Sequence, residues 1–131
     1  MELQKKQFKY KGQTLEELQK LGVREFAKLL KSRQRRTILR NFQEAENFIN
    51  RSKEKIRKNK LIKTHKRDLV IVPQMIGMKI QIYNGHNFTP VEIVGEMLGH
   101  KFGEFSPTRV RIKHSKAGVG ATKGSMAKSK K

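Results

Sequence analysis

Cysteine and tryptophan are absent from the 131 residues, and aspartate occurs once, at Asp68. Without cysteine there is no disulfide scaffold, no thiolate metal site and no thiol nucleophile. The four histidines, His65, His86, His100 and His114, include no pair at the i, i+4 spacing of a helical zinc site. No metal and no cofactor are therefore expected. No run of about 18 apolar residues is present, so no membrane span is expected. The N-terminal MELQKKQFKYKG lacks the apolar stretch of a signal peptide. Acidic residues are scarce as well. No pair of carboxylates stands beside a plausible base, and Glu16-Glu17 and Glu44-x-Glu46 fit the first turns of helices, where the helix dipole favours negative charge. The glycines around Lys123 miss the G-x-x-x-x-G-K-[ST] spacing of a phosphate loop. No catalytic constellation is found, and the expectation is a soluble, intracellular protein that is not an enzyme.

What the chain has in excess is positive charge: 31 Lys+Arg against 11 Asp+Glu, a formal net charge of +20. The simplest partner for such a surface is a polyanion. The charge is unevenly spread, which suggests three parts. Residues 1–60 carry 18 basic and 7 acidic side chains and are expected to form a basic helical N-terminal extension. Residues 61–112 carry 7 and 4, with 22 of their 52 positions Val, Ile, Leu, Met, Phe or Tyr, and are expected to form an α+β core. Residues 113–131 carry 6 and none, with only Val119 and Met126 as large apolar residues. Burial cannot offset the entropy of ordering such a segment, so it is expected to be a flexible tail unless bound.

Local signals add detail. Thr14 with Glu17 is a capping box ahead of Leu15, Leu18 and Leu21. Val23, Phe26, Leu29 and Leu30 mark a second short helix, and Asn41 with Glu44 opens another that carries Ala45, Phe48, Ile49 and Ile56 to about Arg57. Three or four short helices are expected over 14–58. Asp68–Val72 is a β-rich run closed by Pro73, and Lys79–Tyr83 alternates polar and apolar as a half-buried strand does. Asn84-Gly85 signals a hairpin, and Phe88–Val94 returns as an edge or bulged strand because Pro90 cannot donate to a ladder. A helical turn is expected over Gly95–Leu98. The fold class is thus α+β, a small antiparallel sheet with short helices, an N-terminal helical extension and a basic C-terminal tail.

The residues that carry usable chemistry are basic side chains set among small, hydroxyl and aromatic ones at turns. Arg33, Arg35 and Arg36 interrupt the helical region, and a second basic run spans 51–60. Lys63-Thr64-His65-Lys66-Arg67 stands before the first expected strand. Gly99-His100-Lys101-Phe102-Gly103-Glu104-Phe105 and Ser106–His114 follow the sheet. Lys and Arg neutralise phosphates, Ser and Thr donate to phosphate or ribose oxygens, and His and Phe offer stacking faces to unpaired bases. Phe102 and Phe105 are read first as core. These features favour nucleic-acid binding, RNA over DNA. A free nucleic-acid chaperone or condensing protein explains the charge equally well, but not a patterned middle block.

Several blocks then resemble a known family. Lys63-Thr64-His65-x-Arg67-Asp68 leads to Val70-Ile71-Val72-Pro73-x-Met75-Ile76-Gly77, Ile82-Tyr83-Asn84-Gly85 and Val91-Glu92-Ile93. Glu96-Met97-Leu98-Gly99-His100-x-Phe102-Gly103-Glu104-Phe105-x-x-Thr108-Arg109 follows, and then Lys113-His114-x-Lys116-x-Gly118-x-Gly120-Ala121-Thr122. Together they resemble the universal small-subunit ribosomal protein S-nineteen family in its archaeal and eukaryotic-type form. The blocks Thr14–Leu18 and Ser32–Arg36 are similar to that branch's N-terminal extension. The resemblance implies a structural protein of the small-subunit head in the cytoplasm, bound to the 3′ major domain of small-subunit rRNA. It implies a neighbouring ribosomal protein S-thirteen, a large-subunit protein across the interface, and a tail extending toward tRNA. By the same analogy rRNA contacts fall to Lys63, His65, Lys66, Arg67, Asn84, Gly85, His86, His100, Lys101, Thr108, Arg109 and Arg111. Arg33, Arg35 and Arg36 join them from the extension, and Lys113, His114, Lys116 and Lys123 from the tail. Gln74 stands where many members have an acid, and Val94-Gly95 where Lys-Pro is common; both read as surface or turn changes. The ending Met126–Lys131 is less apolar than that of archaeal members.

Overall fold

The computed structural model describes residues 7–113, 118 and 122–129. The chain opens with a hairpin of β1 (Lys9–Tyr10) and β2 (Gln13–Thr14). Lys11 and Gly12 between them both take positive φ, 50° and 83°, the paired left-handed geometry that suits a two-residue hairpin loop. The Lys-Gly dipeptide is a weaker signal than Asn-Gly, and this hairpin was not expected. Thr14 then caps α1 (Leu15–Lys20) through the anticipated reciprocal box with Glu17. Three more helices follow: α2 (Val23–Ala27), α3 (Ser32–Arg40) and α4 (Phe42–Arg57).

Two helices differ from expectation in instructive ways. The basic run Ser32–Arg36 is not a linker but the first turns of α3, held to the core by Ile38 alone among its buried residues. Arg is a good helix former, so the run supplies propensity while its charges stay in water. Helix α4 has 16 residues and is not short. It starts at Asn41 as expected, but the Asn41 side chain makes no capping hydrogen bond. Its other end is a Schellman motif. Asn59 takes φ 51°, its N–H bonds Ile56 O at 3.0 Å, and Lys60 N–H bonds Lys55 O at 2.8 Å.

The main sheet has the order β3-β4-β5. Strands β4 (Lys79–Tyr83) and β5 (Phe88–Glu92) pair antiparallel, with Gln81 opposite Pro90. Strand β5 is an edge, as Pro90 requires. The other edge is β3 (Ile62–Thr64), which lies parallel to β4. The strand expected at Asp68–Val72 does not join this sheet. Its four apolar residues, Leu69 to Val72, are buried, and it runs extended against residues 99–103. Ile71 N bonds His100 O at 2.8 Å, Phe102 N bonds Leu69 O at 3.0 Å, and Gly103 N bonds Arg67 O at 2.9 Å. Short 3-10 turns occupy Pro73–Met75, Gly95–Met97 and Phe102–Phe105, the second where a helical turn was expected. Helix α5 (Lys123–Ser129) lies in the segment read as a tail.

One hydrophobic cluster joins these pieces, combining Leu18, Phe26 and Ile49 of the helices with Ile71, Ile80 and Phe102. Helix α4 contributes Ala45, Ile49 and Ser52, a single i, i+4, i+7 face, while Ile56 on the expected stripe stays exposed. Phe48 meets Phe102 edge-on at 5.5 Å, and the Arg24 guanidinium of α2 lies 3.7 Å over the Phe42 ring. Tyr10 packs on Phe26 at 5.9 Å, and burial pushes its phenol above the usual range, so it stays neutral. Gln74 is not a free surface change. Its side-chain amide donates to Leu21 O at 3.2 Å, which a carboxylate could not do.

Residues 107–113, 118 and 122–124 are exposed, and Ser125 and Met126 are at most partly buried. Phe102→Ala is therefore expected to cost about 3–5 kcal/mol in urea unfolding. Truncation after Lys113 is expected to cost less than about 0.5 kcal/mol. A truncated chain without a cooperative transition would contradict this division of stability.

Candidate nucleic-acid interface

The turn after β3 begins where the buried Thr64 hydroxyl accepts the Lys66 N–H at 3.1 Å. That turn sends alternate residues of the 63–67 block to different tasks. Arg67 turns inward. Its Nη1 donates to Tyr83 O at 2.6 Å, and its Nη2 donates to Gly103 O at 3.0 Å and Ser106 O at 2.6 Å. One planar cation thus ties the end of β4 to the 3-10 turn at 102–105 and to the start of the C-terminal segment. Buried Ser106 adds a hydrogen bond from its Oγ to Ile82 O at 3.3 Å. A Cβ at Gly103 would crowd this clamp, lying 3.1 Å from Arg67 O and 3.3 Å from Arg67 Cβ.

Arg35 plays a comparable part in the helical region. Its Nε donates to Ala27 O at 3.3 Å, and its Nη2 donates to Lys28 O and Leu30 O at 3.1 and 3.0 Å. These carbonyls lie at and just past the end of α2; Ala27 O also accepts the Leu30 N–H at 3.2 Å, and the guanidinium supplies donors to Lys28 O and Leu30 O. Arg33, Arg35 and Arg36 are all exposed on α3, where they line a shallow surface groove with Ser32, Leu39 and Arg40. Sequence alone cannot separate Arg35 from Arg36; the three-dimensional position of the α2 terminus does.

Lys63 and His65 project outward. The His65 ring lies 4.6 Å from Tyr83 and 5.1 Å from Phe88, Tyr83 and Phe88 are 5.2 Å apart, and the Lys63 ammonium stands 5.2 Å from the Phe88 centroid. Lys66 pairs with Glu44 of α4 at 2.9 Å, half exposed on both sides and so worth at most about 1 kcal/mol. The Asn84–Asn87 connection joins β4 to β5 where the hairpin was expected. Asn84 Oδ1 accepts from His86 N at 2.9 Å and Asn87 N at 2.7 Å, and only Gly85 takes positive φ, at 95°. His86 and Gly85 are exposed at its tip.

The remaining positions form a separate stretch. His100 Nδ1 meets Glu104 Oε2 at 2.6 Å, and the other oxygen of that carboxylate accepts the Lys101 backbone N–H at 3.4 Å. Thr108, Arg109, Arg111 and Lys113 are exposed along an extended segment, interleaved with Val110 and Ile112, which are 85% and 76% exposed. Lys123 is exposed on α5, and His114 and Lys116 lie outside the described residues.

Arg51 and Lys55 are further candidates that were not assigned from sequence. One turn apart on α4, they line a cleft between that helix and β3, together with Lys63, Thr64, His65 and Lys66. The signal was the basic run 51–60, but the cleft depends on which helical face packs beside β3. Among the described residues Lys66, with Glu44, is the only Lys or Arg in a salt bridge, so most of the cations have no acidic partner. Among the same residues no group of three His, Asp or Glu is placed to hold a metal ion, and no helix is long and apolar enough to cross a membrane. A fixed, cation-rich surface with stacking rings and free hydroxyls can neutralise phosphates, donate to sugar oxygens and accept unstacked bases. A family model, Ribosomal protein S19, matches residues 3–114.

Replacing Arg67 with Ala strands three carbonyls around Ser106 and is expected to cost about 1.5–3 kcal/mol. Lys in its place is expected to recover little, since a point charge cannot reproduce the fork. Arg109→Ala is expected to leave stability unchanged. Urea midpoints of the three variants check this, and equal midpoints for Arg67→Ala and Arg109→Ala would remove the clamp.

Proposed function

The chain belongs to the ribosomal protein S19 family, and we propose from that premise the following assignment of its surfaces. Membership makes it a non-enzymatic component of the small ribosomal subunit, part of the translating ribonucleoprotein and a binder of rRNA. The family match over residues 3–114 is the observation that carries this reading. We assign its RNA site to the 3′ major domain of small-subunit rRNA, in the head of a cytoplasmic ribosome, beside ribosomal protein S-thirteen. In this reading Lys63, His65, Lys66 and the 84–86 loop form one contact region. His100, Lys101, Thr108, Arg109 and Arg111 form a second, and Arg33 and Arg36 a third.

Arg35 and Arg67 serve these regions by holding the backbone that presents them, because their guanidinium groups are occupied by carbonyls. The extension over 1–60, the 61–112 core and the tail over 113–131 divide the work. The tail, with Lys113, His114, Lys116 and Lys123, reaches toward tRNA and a large-subunit protein. Its alternating exposed Val110 and Ile112 with Arg109 and Arg111 at the tail's root support a segment that meets protein and RNA together.

Binding to a transcript of the 3′ major domain, titrated with salt against a duplex DNA of equal length, tests the assignment. The transcript is expected to be preferred at every salt concentration. Arg109→Ala is expected to weaken binding and lower the salt slope by about one, whereas Lys131→Ala changes affinity less. Equal affinity for transcript and DNA would favour a free condensing protein instead.

A further inference from the structure

The cleft between α4 and β3 combines two kinds of recognition chemistry within one surface. Along its helical wall stand Arg51 and Lys55, and Lys63 stands on the facing strand. Among the described residues its one acidic lining residue, Glu44, is already paired with Lys66 at 2.9 Å, and Arg51, Lys55 and Lys63 have no acidic partner. At the cleft's strand side is the His65 ring. Tyr83 and Phe88 pack against it at 4.6 and 5.1 Å, yet His65 is exposed and is one of the residues that line the cleft. The imidazole is therefore oriented by its aromatic neighbours while still open to a ligand. Strand β3 is also a sheet edge, with no strand partner on its outer side among the described residues.

We propose that this cleft captures a single unpaired nucleotide of RNA, its base stacked on His65 and its phosphate set among Arg51, Lys55 and Lys63. The proposal rests on the rRNA-binding reading above and goes beyond it in naming an extruded nucleotide and the residues that hold it. A duplex cannot supply this ligand, because its bases are stacked on one another and closed to side chains. A bulged or looped nucleotide is already free of that stack and pays little to enter. Stacking is tolerant of base identity, and backbone contacts carry no sequence information, so the cleft recognises the local shape of the RNA.

The test uses the full chain and the 3′ major-domain transcript, with base-specific chemical probing at increasing protein concentration. The native protein is expected to protect at least one unpaired base. His65→Ala is expected to lose that protection and roughly five- to hundredfold in affinity, with an unchanged salt slope, because stacking releases no counterions. His65→Phe, which keeps a stacking face, is expected to restore both and also controls for folding. Arg51→Ala is expected to keep the stacked base but lower the salt slope by about one. If His65→Ala leaves protection and affinity unchanged while the native protein protects the transcript, the nucleotide site is refuted and the rRNA reading stands. A drop in salt slope with His65→Ala, unrescued by Phe, would refute stacking in favour of a phosphate contact. No protection by the native protein while it still binds the transcript would refute the nucleotide site alone, and no binding of the transcript would overturn both readings.

Discussion

The guanidinium of Arg67 is the interaction on which the candidate interface depends. It collects carbonyls from Tyr83, Gly103 and Ser106, which lie 16, 36 and 39 positions from it in sequence. The neighbouring segment adds backbone bonds from residues 99–103 to residues 67–71. Together they fix the end of the sheet, the 100–105 turn and the root of the C-terminal segment into one frame. Charged hydrogen bonds to partly buried carbonyls are stronger than neutral ones, and each carbonyl would be costly to strand. The exposed cations around the clamp are thereby presented at defined positions by side chains that do not themselves reach the ligand.

That frame has to withstand a net charge of +20. Self-repulsion on such a surface opposes the compact state, and a bound polyanion relieves it. The solution is a division of labour among like residues. A few arginines, Arg35 and Arg67 with Arg24 over Phe42, are folded back against carbonyls and a ring. Most others point into water without acidic partners among the described residues. Stability comes from the apolar cluster shared by the helices and the sheet, and the unpaired charge is left for the RNA.

Much of this was legible in the residues. The Thr14–Glu17 box, the α+β class, strands at 79–83 and 88–92, the edge position forced by Pro90 and the turn at 95–97 all follow from local rules. What failed was non-local. Residues 69–72 have a strand's composition, but nothing in them says that their hydrogen-bond partner is 99–103 and not the sheet. The three residues of β3 are too few to carry a period, and their parallel pairing to β4 is fixed only by packing. For the interface, sequence shows the basic blocks but cannot rank residues within them. Arg67 and Lys66 are neighbours with the same charge, and one holds the backbone together while the other faces Glu44 across the surface. Gln74 looked like a surface change because its acceptor, Leu21 O, lies 53 positions away in the chain.

The central claim is that this chain is held in the small subunit by a shaped surface and not by loose charge alone. Sedimentation of a native lysate at low salt, and again after a high-salt wash, tests it most directly when each fraction is probed for the protein. The expected result is comigration with small subunits that survives the wash, because contacts fixed by shape and stacking persist where counterion release is suppressed. Release by the wash, or comigration with bulk nucleic acid, would contradict the claim.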